Sequence, residues 1–418
     1  MTAARSVAAG GAAAALLGLA LAAFSPRAAA QLDPALRDAA RAEQPALVAS
    51  LKEMVSIETG SIDGPGLTRL GDWIEKRLQA LGARTERPVP KSGTATLVKA
   101  TFSGTGQRKL MLLGHMDTVY PPGTLAREPI RQDGSKLYGP GIADDKGGLA
   151  VILHSLAILQ RQGWKDYATL TVLLNGDEET GSMGSADLIA QTAEEHDAVL
   201  SFEPTGTREG VLLGASGTAV ATLTVKGRAA HAGAAPELGR NALLELAHQL
   251  QQTKDVAATI PGAQLNWTTA RAGLVRNQIP EGATAGGDVR LTQADAAAKL
   301  LAALQAKVAS SRLVPDTETT VTLDVNRPPW LADPRARSVA RTAQSIYAEL
   351  DGRPLAIVEM TGGATDAGFA SRSGKPVVLE SLGLAGAGYH ARDEHVELDS
   401  VVPRLYLATR LLMTLARR

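Results

Sequence analysis

Beyond its first thirty residues the chain alternates short apolar runs with stretches of helical period. Apolar positions recurring every three or four residues predict helices over Pro34–Val55 and Gly66–Leu81. Strand-like runs follow at Thr96–Phe102 and Lys109–Leu113, the second ending at Gly114-His115-Met116-Asp117. A glycine-rich loop, Tyr138 to Gly148, then runs into a helical pattern over Leu149–Gln160. Thr169–Leu174 reads as a buried strand that stops at Asn175-Gly176-Asp177-Glu178-Glu179. A helix over Ala186–Glu195 leads to the strand Ala198–Phe202, which stops at Glu203-Pro204. Such alternation predicts an α/β sheet covered by helices. Polar residues gather where the strands end, which is where open α/β sheets hold their sites.

From about Gly217 the rhythm changes. A strand over Val220–Val225 and a helix over Asn241–Gln252 precede two strand-like stretches, Asn266–Leu274 and Ala283–Leu291. A helix (Ala294–Ser310) and a strand (Glu318–Val325) follow. The order β-α-β-β-α-β predicts a ferredoxin-like α+β unit, and it holds none of the carboxylate clusters. After Arg327-Pro328-Pro329 the α/β pattern resumes and closes on a helix over Val401–Ala416. Residues 217–327 therefore read as a domain inserted into a larger one made of residues 31–216 and 328–418.

The amino terminus differs from the rest. Arg5 precedes an apolar run from Val7 to Phe24, and Pro26 and Ala28-Ala29-Ala30-Gln31 follow, the layout of a signal peptide over residues 1–30. Its removal would leave no stable membrane anchor and an exported protein, periplasmic or secreted. The 418 residues contain no cysteine, which excludes disulfides, thiolate catalysis and cysteine metal sites. Any metal must be held by His, Asp and Glu. With 43 basic and 43 acidic residues the net charge is zero, and no basic block is interleaved with aromatics, so nucleic acid is not an expected partner.

Candidate chemistry sits at the strand ends. His115 closes a strand with Asp117 two residues on, where alternation lets the carboxylate orient the imidazole. Asp144-Asp145 lies in a glycine-flanked loop, Glu178-Glu179 and Glu203 lie just past strands, and His390 sits in Gly386-Ala387-Gly388-Tyr389-His390. Each feature alone is common on solvated surfaces or in turns. Their shared placement at strand ends gives them weight. Two imidazoles and several carboxylates suit zinc or a similar divalent ion. Two zinc ions sharing one carboxylate would use five ligands, polarise a scissile carbonyl and acidify water, and one glutamate would stay free as general base.

Six motifs in order resemble the aminoacylase/carboxypeptidase family of di-zinc metallopeptidases. They are Gly114-His115-Met116-Asp117-Thr118-Val119, Gly139 to Gly148, Asp177-Glu178-Glu179, Ser201-Phe202-Glu203-Pro204, His231-Ala232-Gly233 and Gly388-Tyr389-His390. Within that family the chain resembles the secreted bacterial glutamate carboxypeptidases that act on folates. The resemblance implies a zinc-peptidase-like mixed sheet flanked by helices, with the insertion as a lid and dimerisation domain. It also implies two Zn2+ per subunit, with His115 and Glu203 on one ion, Glu179 and His390 on the other, and Asp144 bridging. Glu178 would be the general base and Asp117 the partner of His115. His231 would reach across a homodimer to the tetrahedral oxyanion. Asn277 and Arg290 would bind the C-terminal carboxylate of a small-molecule or short-peptide substrate, with Arg327 and Gly363 lining the same pocket.

The expected activity is hydrolysis of the amide bond to a C-terminal amino acid, glutamate above others, from folate-like, N-acyl or peptidyl substrates. The loop after Glu203, Thr205 to Gly210, is shorter than in the folate-acting relatives, and Arg208 is the candidate there for the glutamate side chain. Alternatives are an N-acyl-amino-acid amidohydrolase or dipeptidase of other side-chain specificity, and a binding protein that has lost catalysis. A missing ligand or base would mark the last of these, and none is missing. His154, His196, His248 and His395 fall outside the motifs and read as packing or surface residues, the last in a charged, exposed loop.

Overall fold

Successive residues of the central strands enter two different cores. Leu110, Leu112, Leu170, Val172 and Leu174 join one apolar cluster, whereas Met111, Leu113, Leu173, Val199 and Val378 join another. A strand buried on both faces reads as a continuous apolar run, which is why Lys109–His115 and Thr169–Asn175 show no polar alternation. The structure, a computed structural model, describes residues 32–93 and 95–417. The expected signal peptide lies outside them. Six strands form the sheet in the order Arg84–Glu86, Val98–Ser103, Thr169–Asn175, Lys109–His115, Ala198–Ser201 and Val377–Leu379. The first three pair antiparallel and the last four run parallel, so the sheet is mixed.

Helices Pro34–Val55, Lys146–Arg161 and Val401–Ala416 pack together against one face. The other face is covered by Ala186–Glu194 and Ala367–Ala370. Pro34 opens the first helix behind Asp33, whose side chain accepts from the Leu36 amide at 3.0 Å and caps an otherwise unpaired donor. Lys146–Arg161 begins against the sheet edge because Gly148 has no side chain. A Cβ there would stand 2.1 Å from the Phe202 carbonyl oxygen. That close approach brings the Asp144-Asp145 loop beside the strand end that carries Glu203.

The inserted domain is a four-stranded antiparallel sheet in the order Ala263–Ala272, Gly282–Leu291, Gly217–Lys226, Glu318–Arg327. Helices Ala242–Thr253 and Ala296–Ser310 cover one face, around Ala221, Leu223, Leu246, Leu300 and Leu304. This is the β-α-β-β-α-β unit of the sequence pattern. The chain enters it through Gly214–Ala215 and leaves through Trp330–Leu331, and these two segments pair antiparallel with each other.

A second small sheet has no counterpart in the sequence reading. It joins Gly386–Ala387, His395–Glu397, Lys136–Tyr138 and Arg131–Asp133. The charges around His395 predict an exposed loop, and here the structure differs: Glu394 and His395 are only 2% and 7% exposed. Buried backbone amides compensate the Glu394 charge, and the His395 ring packs 5.0 Å from Tyr138. His154 and His196 are buried packing residues, paired with Glu43 and with Thr192 and Thr171. His248 is half-buried beside Ser311. Among the described residues no helix is long and apolar enough to cross a membrane.

Candidate metal centre

Three parallel strands end on one edge of the sheet and deliver His115, the Glu178-Glu179 turn and Glu203 side by side. The Asp144 loop and the His390 loop complete the cluster. His115 Nε2 lies 3.0 Å from Asp144 Oδ1 and 3.6 Å from Glu203 Oε1. His390 Nε2 lies 3.4 Å from Asp144 Oδ2 and 3.2 Å from Glu179 Oε2. Two trios result, His115–Asp144–Glu203 and Asp144–Glu179–His390, each with its donor atoms within 4.8 Å of one another. Asp144 belongs to both and presents a different oxygen to each imidazole.

The charge balance suits cations. Three carboxylates face two imidazoles, and Glu179 Oε1 is buried with no hydrogen-bond partner. Burial opposes a charge on His115, but Glu203, Asp117 and Asp144 outweigh it and hold its pKa well above the usual range. Hydrogen bonds to Asp144 and Glu179 push His390 up to about 10. Divalent ions binding there would compete with protons for both imidazoles. The residues present fit zinc in donor type and grouping.

Around the trios, carboxylates hold main-chain amides. Asp117, fully buried, has Oδ1 3.3 Å from His115 Nδ1. The same carboxylate accepts from the amides of Glu178 and Glu179, each at 3.1 Å, and from Ser61 Oγ at 2.8 Å. Its task is therefore wider than orienting one ring. Asp145 Oδ2 accepts from the His115 amide at 3.2 Å. Glu394 accepts from the amides of Gly141, Ala143 and Asp144 at 3.0, 2.8 and 3.0 Å, and from the Tyr120 hydroxyl at 2.6 Å. Reading the sequence missed Glu394. The available signal was its place four residues after His390 and next to an apolar alternation, Val396 among charged neighbours.

The cluster opens into a cavity of about 720 Å³ between the two domains, lined among others by Asp144, Glu178, Glu203, Tyr389, His390, Thr218 and Gly363. Glu178 belongs to neither trio, and burial, partly offset by Arg327, pushes its carboxyl up to about 8. Arg290 lines the cavity with Nε 3.0 Å from Asp288 Oδ2. Arg327 lines it too, but is 4% exposed and bonded to Glu178. Asn277 and His231 do not line it and are exposed in the single chain. Arg208 sits in a separate groove with Glu209 and Arg353.

A carboxylate–imidazole cluster at a sheet edge, beneath an inserted α+β domain, defines a two-domain metallohydrolase class. The profile of peptidase family M20/M25/M40 matches residues 111–414, and the chain belongs to that family. It is 44% identical over 393 residues to carboxypeptidase G2 of Pseudomonas sp. (strain RS-16), covering 92% of each chain. It is 31% identical to succinyl-diaminopimelate desuccinylase of Methylorubrum extorquens (strain PA1), over 80% of this chain and 89% of that one. Among solved structures, a Staphylococcus aureus tripeptidase superposes with a TM-score of 0.72 at 18% identity, over 90% of this chain and 99% of that one. An M20 family metallo-carboxypeptidase from Sulfolobus solfataricus does so with a TM-score of 0.72 at 16% identity, over 89% and 99%. These last two speak for the fold.

Proposed function

We propose that the protein is a zinc-dependent exopeptidase that hydrolyses the amide bond to a C-terminal glutamate in folate-like, N-acyl or peptidyl substrates. The observation that carries this reading is Asp144, shared between two donor trios, with Glu178, which belongs to neither trio, lining the same cavity. The 44% identity to a carboxypeptidase over nearly the whole chain supports the direction of cleavage.

Two zinc ions, held by His115, Asp144, Glu203, Glu179 and His390, supply Lewis-acid polarisation and acidified water when bound. Glu178 takes the proton of the attacking water at its carboxylate and passes it to the leaving amine. Arg290 and Asn277 receive the C-terminal carboxylate of the substrate, the guanidinium through its fork of donors. His231 lies in the inserted domain, exposed and away from its own cavity, which supports a role in a partner subunit's site and a homodimeric enzyme. The apolar leader of the sequence supports export.

Glu178→Gln keeps the shape of the side chain and removes its basicity. Release of glutamate from an N-acyl-glutamate should fall by at least about 10²-fold, with zinc content by atomic absorption unchanged. Wild-type turnover by that variant would remove Glu178 from the role of base. A second reading keeps the machinery and changes the side chain recognised, and it draws support from Arg208, which lies outside the cavity. A panel of N-acyl amino acids separates the two.

A further inference from the structure

Arg327 is the last residue of the strand Glu318–Arg327, where the inserted domain returns to the catalytic one. Its sequence match suggests contact with substrate, but its hydrogen bonds are directed at the protein. Nη1 donates to Glu178 Oε1 and to the Ala364 carbonyl at 3.0 Å. Nη2 donates to the Glu178 carbonyl at 2.8 Å and to Ser182 Oγ at 3.0 Å, with Asp366 Oδ1 at 3.3 Å. A guanidinium carries five N–H bonds. Four are committed here, and the fifth, on Nε, is buried without a partner.

A substrate carboxylate could use the fork of Arg327 only by evicting Glu178 or the carbonyls that hold it. Asp117 meanwhile grips the Glu178 and Glu179 amides from the other side. The turn that carries the base is thus clamped at its amides, at one carbonyl and at its carboxylate. We propose that Arg327 is a positioning residue for Glu178, fixing both its carboxylate and its main chain, and that it does not bind the carboxylates of the substrate. This inference rests on the reading of Glu178 as the base. It also means that a side chain from the end of the inserted domain is built into the floor of the site.

The test uses the zinc-loaded protein and its Arg327→Met, Arg327→Lys and Ser182→Ala variants, with Arg290→Ala for comparison. Steady-state kinetics on N-benzoyl-glutamate are paired with calorimetric titration of free glutamate, which reads binding without turnover. Arg327→Met should lower kcat by about 10²-fold, the cost of a misplaced reacting group. KM and the glutamate affinity should stay within about threefold, less than one tenfold step of binding energy. Arg327→Lys should recover part of kcat, and Ser182→Ala, which removes one contact and leaves the guanidinium, should lower kcat alone. If Arg327→Met does not fold, the other two variants carry the test. A tenfold loss of glutamate affinity with kcat retained, as expected for Arg290→Ala, would overturn the proposal for Arg327. If the wild type releases a different amino acid, that amino acid replaces glutamate in the titration and the logic is unchanged. If the wild type turns over no N-acyl amino acid, the assignment of the base falls and this inference falls with it.

Discussion

At the scale of single residues, the buried charges fall into two kinds. Those at the centre are not fully satisfied by the chain, as at Glu179, whose Oε1 has no partner. Those elsewhere are satisfied within the chain, as at Glu43, which is buried and accepts from His154 and Arg161. Burial alone would raise the Glu43 pKa, but these two partners outweigh it and hold the carboxyl below its usual 4.5. A depressed carboxyl contributes stability above its unfolded pKa and loses it as pH falls through the folded one. Glu43→Gln should therefore lower the melting temperature most near neutrality, and the gap from the wild type should close below about pH 4.5. A gap that widens toward acid would contradict the pairing. Residues of the first kind were readable in the sequence, because His115, Glu179 and Glu203 stand at or just past apolar runs whose ends mark the sheet edge, and Asp144 stands in a glycine-flanked loop. The partnerships of Glu43 were not, since His154 and Arg161 lie over a hundred residues away in the chain.

At the scale of elements, the legible parts were those with a period of their own. The helices Pro34–Val55 and Val401–Ala416 and the β-α-β-β-α-β insertion follow from local pattern. The small sheet around His395–Glu397 does not. Its strands are two or three residues long and join segments some 250 residues apart, so no local window contains it. Yet that sheet sets Glu394 beneath the loop of the shared ligand. Glu394→Ala would leave three amides without an acceptor, two of them buried. Each such orphan costs about 1–3 kcal/mol, so the loop should loosen. Competition with a chelator should then report zinc affinity lower by about 10- to 100-fold, the range for lost support around metal ligands. Unchanged affinity would show that the loop holds its shape without this carboxylate.

At the scale of the whole molecule, the cavity is completed by residues from both domains, and the role proposed for His231 would add a third contributor, a second copy. Sedimentation at micromolar concentration should give a dimer. His231→Ala should lower kcat by about 10²-fold, the typical cost of losing one oxyanion donor. Mixing that variant with Glu178→Gln chains should restore activity, because each half-dead pair contains one intact site. Recovery absent from a proven mixed dimer would place His231 in its own subunit's reaction or in none. The pairing of Gly214–Ala215 with Trp330–Leu331 has a consequence at this scale. The outgoing and returning chains are hydrogen-bonded into one ribbon, and Arg327 beside it is tied to Glu178, Ala364 and Ser182, so the inserted domain is held along one edge, like a page in a book. A ribbon yields to bending across its face and resists shear within its plane, which leaves one soft angle between page and spine. The expected response to acyl groups of different bulk is a change in that angle.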